Sequence, residues 1–503
     1  MLAIVLSGRA QRTLKLVNQP SVDQRTPIAF AVKPAELASP NQEILNRHPY
    51  LSLATGSLAF VLGTVNVTVS NVAFPEIVRS FPGVGNGMTG WIIAGYSLAF
   101  ATTLLVGGRL ADRYGRLTIF RIGLLGLLVG AFGAGLAPNA LTLVLARALQ
   151  GMFGALTVPS SLALVLPQFP QSKQASVIGI WAAAGMVASG ISPGFASLVL
   201  EIGSWRWVYL ILVPIIGLAL AGAKAFLHET AERSAGRPLD ITGVALGSGS
   251  VFLLMLGVLQ GRSWGWTSVA TLACFAGTMA LFPVFLRRSS RHDEPLFDPI
   301  LFRIRSFAVA NVAVALAMVG AFTSWFLWPL FLSEVWNYSK MQVGLAFTPS
   351  PIISAMVAVL GGRWADKHGF RGMMTLAALT GTSGFCWLYL FLDEQPTYWL
   401  VFFPASALFG LGMGVLASQL NSAALRDIEP DSIATANGIH QSLRYAAGGI
   451  GVAAAISVLN GTHEIARYNG LWLFLGVLMF LVAPLIWFLY PAQKPQRRDS
   501  PES

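Results

Sequence analysis

The sequence predicts an all-α integral membrane protein, and three observations indicate this class. The chain of 503 residues is 54% hydrophobic but only 11% charged, whereas a soluble globular chain carries roughly 25% charged residues. Apolar runs recur from Leu51 to Tyr490, and a helix of about 20 such residues crosses about 30 Å of hydrocarbon. The runs are continuous, unlike the alternating segments of a membrane β-barrel.

Taken in order, the apolar runs predict fourteen transmembrane helices. An even number of spans places both chain termini on the same side of the membrane. The predicted spans are 51–74, 88–110, 117–137, 140–165, 175–200, 206–227, 240–261, 268–287, 306–334, 341–362, 372–392, 397–424, 433–460 and 468–490.

The basic residues predict the orientation of these spans. Of the 33 Lys and Arg residues, 26 fall in the tails and connections on one side. Basic connections face the cytoplasm in membrane proteins, so both termini are expected to be cytoplasmic, and the net charge of +11 does not call for a nucleic-acid partner. The exceptions are Arg79, Arg206, Arg262, Lys340 and Arg467 on the other side, and Arg147 and Arg444 within spans.

A repeated motif follows the second and the tenth predicted helices. Residues 107–116 read GGRLADRYGR and residues 361–371 read GGRWADKHGFR. The glycines permit a tight turn between helices, and an aspartate can cap or face the next helix N-terminus. Two matched copies on the same side indicate duplicated helix bundles. The motif residues are Gly108, Arg109, Asp112, Arg113, Gly115 and Arg116 in the first copy, and Gly362, Arg363, Asp366 and Gly369 in the second.

The first predicted helix is unusually polar near its end. The stretch VNVTVSNVAFPEI places Asn66, Thr68, Ser70 and Asn71 in an otherwise apolar run. Polar residues within a span are costly and usually face a cavity or a neighbouring helix. None of the four carries a charge, so this stretch predicts a polar pathway without an ionisable group.

These motifs resemble those of the major facilitator superfamily, and most closely its fourteen-span drug:proton antiporters of the EmrB/QacA type. The first helix keeps the pattern N-V-A-x-P, and Trp205-Arg206-Trp207 opens the sixth helix as it does in that group. The remaining matches are Trp91 and Tyr96 in the second helix, Arg147, Gln150 and Gly151 in the fourth, and Ser192, Pro193 and Gly194 at the antiporter motif of the fifth.

The resemblance implies the major-facilitator fold, with two six-helix bundles and two intervening helices. The expected divisions are a cytoplasmic tail over 1–50, a bundle over 51–227, linkers and two extra helices over 228–305, a bundle over 306–490 and a cytoplasmic tail over 491–503. The resemblance also implies an exporter of hydrophobic or amphipathic small molecules. Its substrate and coupling cavity would include Asn66, Thr68, Asn71, Trp91, Tyr96, Arg147, Gln150 and Asn311, with the repeated motifs acting as gating loops.

Several of these residues have a second interpretation. Arg147 could instead extend to lipid head groups, and the motif aspartates could serve only as helix caps. Tryptophans in membrane proteins are often interface anchors. His440 is the one histidine placed inside a span, where it could titrate near physiological pH or simply be hydrogen-bonded in place.

One residue departs from the resembling group. The position of the proton-binding aspartate in its first helix is Asn66 here, which cannot titrate, and every Asp and Glu falls in a tail, a loop or the terminal turn of a span. Three hypotheses stay open. Protons bind at the rim, at Glu76, Glu334 or His440; the protein is a proton-independent facilitator or exchanger; or the substrate brings the charge.

Other classes of function are weighed against transport. A membrane receptor or sensor would be expected to carry a signalling domain, and no tail or loop is long enough for one. An enzyme should show clustered catalytic or metal-binding residues, so we expect no catalysis, metal or cofactor. A phosphate-binding loop, which ATP drive requires, is missing from the sequence. The expected protein is a monomer of the bacterial inner membrane, for which a periplasmic adaptor is an open question.

Overall fold

The computed structural model describes residues 48–229, 240–292, 295, 297–429, 432–459 and 464–491. Within this part of the chain the regular elements are all helices. They are α1 Pro49–Ser80, α2 Asn86–Tyr114, α3 Arg116–Gly135, α4 Ala140–Val165, α5 Gln171–Ile202, α6 Arg206–Ala225, α7 Ile241–Trp264, α8 Val269–Ser289, α9 Arg305–Glu334, α10 Lys340–Phe347 continued by Pro349–His368, α11 Phe370–Phe391, α12 Tyr398–Leu425, α13 Ile433–Leu459 and α14 Ile465–Leu489.

Most of these helices match the predicted spans closely. Among the described residues, twelve helices are long and apolar enough to cross a membrane, and α2 and α5 are further helices of 29 and 32 residues. The all-α membrane class is therefore confirmed, while the number of fourteen spans stays a prediction. Several ends differ: α1 accommodates Pro75 and continues to Ser80 instead of ending at 74, and α2 and α10 continue to Tyr114 and His368.

Small residues allow some helices to approach closely. A methyl group added at Gly151 of α4 would overlap the carbonyl oxygen of Tyr96 in α2. In the C-terminal half, a methyl group at Gly414 of α12 would overlap the carbonyl oxygen of Ser354 in α10. Such backbone contact is how membrane helices gain packing energy without a hydrophobic driving force.

The two intervening helices lie beside the two bundles as a pair. α7 packs against both α2 and α13, and α8 packs mainly on α7. Asp240, which precedes α7, accepts from the backbone N–H of Gly243 at 2.9 Å and pairs with Arg288 of α8 at 3.1 Å. This ion pair fixes the two extra helices to each other at one end.

Four of the basic residues on the side of the membrane opposite to the basic connections lie against helix C-termini. Lys340 donates to the carbonyl of Leu200 at 2.9 Å, Arg206 to Ala137 at 3.1 Å and Arg262 to Val458 at 3.2 Å. Arg467 donates to the carbonyl of Leu459 at 3.1 Å. Carbonyl groups at a helix C-terminus are unsatisfied and carry partial negative charge, so each of these cations has a local structural role.

Candidate functional site

The polar residues Asn66 and Ser70 of α1 contact other helices of the N-terminal bundle. Asn66 and Ser70 bond side chains of α4 and α6 respectively, and the Ser70 hydroxyl also donates to the carbonyl of Asn66 at 2.8 Å. Phe74 of the same helix contacts Phe326 of α9 with ring centroids 4.9 Å apart. Asn66 therefore faces the interior of the N-terminal bundle, while Phe74 faces the opposite bundle.

Arg147 lies at the centre of a buried cluster in the N-terminal bundle. Its Nη1 atom donates to Oδ1 of Asn66 and to Oε1 of Gln150, the second at 2.6 Å, and its Nε donates to the carbonyl of Ile92 at 3.2 Å. Arg147 and Asn66 are each 1% exposed, and Gln150 is fully buried. We call Asn66, Arg147 and Gln150 the Arg147 cluster. Its burial contradicts the alternative that Arg147 extends to lipid head groups.

Two tyrosines enclose the guanidinium of Arg147. The guanidinium carbon lies 4.3 Å from the ring centroid of Tyr96 and 5.7 Å from that of Tyr209. The Tyr209 hydroxyl donates to Ser70 at 3.2 Å, and that of Tyr96 donates to the carbonyl of Gly63 at 3.4 Å. Aromatic faces attract a cation, most strongly where water is excluded. They supply electron density around Arg147 but no counter-charge.

The other predicted cavity residues lie outside the Arg147 cluster. The hydroxyl of Thr68 donates to the carbonyl of Thr64 on its own helix at 3.3 Å. Trp91 packs against Phe252 of α7, with ring centroids 5.3 Å apart. Asn71 is buried, and its Oδ1 has no hydrogen-bond partner within the described residues. The structure thus brings Asn66, Tyr96, Arg147 and Gln150 together and places the remaining residues elsewhere.

Asn311 and His440, predicted separately, lie in contact between α9 and α13. The Nδ1 atom of His440 is 3.1 Å from Oδ1 of Asn311, and both side chains are 1% exposed. The third candidate for proton binding at the rim, His440, is therefore a buried histidine that contacts an amide. Its role in proton transfer stays a prediction.

The repeated motif forms two one-residue turns, where the sequence predicts longer loops. Gly115 alone separates α2 from α3, with φ of +98°, and Gly369 alone separates α10 from α11, with φ of +83°. Only glycine adopts this backbone conformation without strain. The predicted loops are wrong in length because the helices continue through the Arg and Asp positions of the motif.

The first of these turns is held by a residue that the sequence did not indicate. The Glu229 carboxylate, just beyond α6, accepts from the backbone N–H groups of Arg116 at 2.8 Å and Leu117 at 3.1 Å. A carboxylate is stabilised at a helix N-terminus by free N–H groups and by the helix dipole. The only available signal was an acid placed shortly after a span.

Among the motif residues whose side chains are described, Arg113 is exposed, and Arg116 Nη1 donates to the carbonyl of Ala163 at 3.5 Å. Gly108 has open space around it. The gating role of the motif stays a prediction. The side chains at Arg109, Asp112, Gly362, Arg363 and Asp366 lie outside the part that the structure describes.

Ion pairs join the two bundles at the end remote from the glycine turns. Arg79 of α1 pairs with Glu334 of α9, and Lys340 of α10 lies 3.0 Å from Glu76 of α1. Lys340 also donates to the carbonyl of Leu200 in α5. We call Glu76, Arg79, Glu334 and Lys340 the latch, and the end of the molecule that holds them the latch end. Both acids predicted at the rim belong to it.

An apolar cavity of about 260 Å³ lies directly below the latch. Phe74, Phe326, Leu330 and Ile456 line it, and Arg79 and Glu334 border it. Its walls come from both bundles, so movement of the bundles at the latch end would change its size.

The antiporter-motif helix packs across the same boundary between bundles. Ser197 and Gly194 of α5 lie against Gly344 of α10, and Gly190 lies against Ile352. Ser192 and Pro193 are buried within this helix. Small residues spaced about one turn apart permit this close contact, and the role of Ser192, Pro193 and Gly194 in transport stays a prediction.

Comparison with known proteins identifies the family. The sequence model described as Major Facilitator Superfamily matches residues 56–306 and 310–503. The chain belongs to the major facilitator superfamily. Among solved structures, this facilitator is similar to a D-xylose-proton symporter, with a TM-score of 0.64 and 15% identity over 88% of this chain and 98% of the other. That likeness concerns the fold.

The facilitator also resembles proteins named for drug resistance and export. It is 30% identical to the multidrug resistance protein Stp of Mycobacterium tuberculosis, over 82% of this chain and 76% of the relative. It is 29% identical to the cephamycin export protein CmcT of Amycolatopsis lactamdurans, over 90% of this chain and 93% of the relative. These relatives support the interpretation of the protein as a multidrug-type efflux transporter, and they contradict its interpretation as an enzyme.

Proposed function

We propose that this multidrug-type efflux transporter exports hydrophobic or amphipathic small molecules by alternating access. We place it in the bacterial inner membrane as a monomer, with both termini cytoplasmic and the latch end facing outwards. In the arrangement described, the latch closes the outer end of the path. The observation that carries this proposal is the pairing of Arg79 with Glu334 across the two bundles.

The latch is suited to opening because its ion pairs are weak. The side chains of Glu76, Arg79, Glu334 and Lys340 are all partly exposed to solvent. Part-exposed ion pairs contribute about 0.2–1 kcal/mol each. Ion pairs of this strength break readily when a substrate occupies the cavity below them.

The two carboxylates also make the latch sensitive to external protons. Protonation of Glu76 or Glu334 removes the negative charge that holds Lys340 or Arg79. Arg79, Lys340 and the Tyr468 hydroxyl face these carboxylates. External acid should therefore favour the outward-open arrangement. Such a site controls opening and does not by itself carry protons inwards.

Transport is tested in inverted membrane vesicles from an expression strain that lacks its own major drug pumps. We expect the vesicles to accumulate ethidium or an anionic fluorescein dye when a pH gradient is imposed, and to lose this accumulation with an uncoupler. Equal uptake with and without the gradient would favour the proton-independent facilitator. Failure to move any dye of the panel would contradict multidrug export.

The latch is tested by cysteine accessibility beside the cavity. Val78→Cys is introduced into a Cys386→Ser background, because Cys386 is exposed and Cys274 is buried. A water-soluble maleimide should label Val78→Cys several-fold faster when Glu334→Gln or Glu76→Gln is added. Labelling rates at each pH are corrected with a fully exposed cysteine.

A matched control separates the latch from general surface charge. Glu464 lies at the same end, and among the described residues its ion pair is with Arg467 of the helix that follows it, at 3.5 Å, so Glu464→Gln should leave the labelling rate unchanged. The two latch variants should also lose the acceleration that the parent shows in acid. Unaltered labelling in both latch variants would show that these carboxylates do not hold the outer end closed.

A further inference from the structure

The Arg147 cluster contains more hydrogen-bond donors than acceptors. Nδ2 of Asn66 and Nε2 of Gln150 are buried and have no partner within the described residues. The hydrogen bonds of Arg147 use its Nε and Nη1 atoms. Two amide nitrogen atoms, which can only donate, are therefore left without acceptors beside a buried guanidinium.

The orientation of both amides follows from Arg147 itself. A guanidinium only donates, so each amide must turn its oxygen towards Nη1 and its NH2 group away from it. Exchanging oxygen and nitrogen in either amide would place two donors against each other. The surplus of donors is therefore a property of the three residues and does not depend on how the amides are assigned.

The cluster also lacks a negative charge. None of the ion pairs among the described residues includes Arg147, and the nearby rings of Tyr96 and Tyr209 are neutral. An unpaired cation in a membrane interior is costly, and an unsatisfied buried donor adds to that cost. A carboxylate at residue 66 would remove both deficits, but the residue there is Asn66.

We propose that the Arg147 cluster is a binding site for a small monovalent anion, which takes the place of the missing carboxylate. Amide N–H groups beside a guanidinium match the hydrogen-bonding needs of a halide or of a carboxylate oxygen. The anion has two sources, a free ion such as chloride or the acid group of a transported molecule. The proposal goes beyond the efflux function and does not depend on protons acting at the latch.

The test measures thermal unfolding of the purified full-length protein in detergent. Sodium chloride, sodium acetate and sodium salicylate are each titrated against sodium gluconate at constant ionic strength. A ligand that binds only the folded state raises the Tm in proportion to the logarithm of its concentration above the Kd. We expect such a rise for at least one of the three anions in the unsubstituted protein.

Two variants supply a built-in carboxylate at the cluster. Asn66→Asp and Gln150→Glu each place a negative charge against Arg147, so each should abolish the anion-dependent rise in Tm. In gluconate alone, each should also melt at a higher temperature than the unsubstituted protein. The two variants act from different helices, so that failure of one to fold leaves the other to decide.

Asn71→Asp is the matched control, because Asn71 lies on the same helix and does not contact Arg147. It should keep the anion-dependent rise. A response to chloride alone identifies a free ion as the ligand, and a response to acetate and salicylate alone identifies an organic acid group. No specific response to any of the three would mean that no anion binds the cluster, and an equal response in both carboxylate variants would mean that the anion acts elsewhere; either result would overturn the proposal.

Discussion

His440 and Asn311 form a hydrogen bond whose proton position is determined. Nδ2 of Asn311 donates to the carbonyl of Phe307 at 2.8 Å, so Oδ1 of Asn311 is the atom that accepts from Nδ1 of His440 at 3.1 Å. Nδ1 therefore carries the proton, and Nε2 is the nitrogen that can accept another. The pair joins α9 to α13 and holds the imidazole in one tautomer.

Replacing Asn311 by Ala should destabilise the protein. The change leaves Nδ1 of a buried histidine without an acceptor, which costs about 1–3 kcal/mol. The measurement is a double-mutant cycle of Asn311→Ala and His440→Ala by thermal unfolding. We expect a coupling energy of about 0.5–1.5 kcal/mol, and additive effects would contradict the hydrogen bond.

Gly151→Ala should disturb the Arg147 cluster through the backbone. The added methyl group meets the carbonyl oxygen of Tyr96, and overpacking of this kind costs about 1–3 kcal/mol. Gly217→Ala is the control, since nothing lies within 4 Å of a methyl group there. Thermal unfolding should show a lower Tm for the first variant and an unchanged or higher Tm for the second. Equal Tm values would contradict the close approach of α4 to α2.

The Asp240–Arg288 pair should respond unequally to loss of its two members. The Asp240 side chain is 1% exposed and that of Arg288 is 40% exposed. Arg288→Gln leaves a buried carboxylate without its cation and should cost about 1–3 kcal/mol, whereas Asp240→Asn keeps an oxygen acceptor and should cost less. Both are measured by thermal unfolding. A larger loss for Asp240→Asn would show that stranding the buried carboxylate is not the main cost of breaking this pair.

Asp427 should make stability depend on pH in the acid range. Its pKa is lowered chiefly by hydrogen bonds from Arg426, at 2.7 and 2.9 Å. Because the pKa of Asp427 is lowered in the folded state, its carboxylate stabilises the fold at pH values above the ordinary aspartate pKa. This stabilisation is lost as the pH falls towards the lowered pKa. The Tm difference between the parent and Asp427→Asn should therefore shrink below about pH 4. Glu429→Gln, which removes an exposed carboxylate two residues away, is the control variant.

The sequence predicts the helices well because each helix is marked by an apolar run within its own residues. Long apolar runs fix where a chain can cross a membrane, and the predicted and observed helices overlap throughout the described residues. The R-x-x-Q-G pattern also places Arg147, Gln150 and Gly151 correctly on one helix. Spacing along a helix determines which side chains share a face, so these neighbours could be recognised before the structure was known.

The contacts between distant parts of the chain could not be predicted in this way. Glu229 at the first glycine turn, Tyr209 beside Ser70 and the pairing of Arg79 with Glu334 each join residues far apart in sequence. The sequence does not distinguish a polar loop residue that is solvated from one that is paired with a distant residue. The lengths of the motif turns were also missed, because glycine marks a turn but does not tell how far the flanking helices extend.

The weakness of the latch has a consequence for the resting protein. Two pairs of about 0.2–1 kcal/mol each change the ratio of closed to open molecules by only about 2- to 30-fold. If the latch alone held the outer end closed, a resting population would include a minority of open molecules before any substrate arrives. A compound that prefers the open form by a similar factor would bring the two forms to equal abundance, so even modest binders could set the transporter in motion.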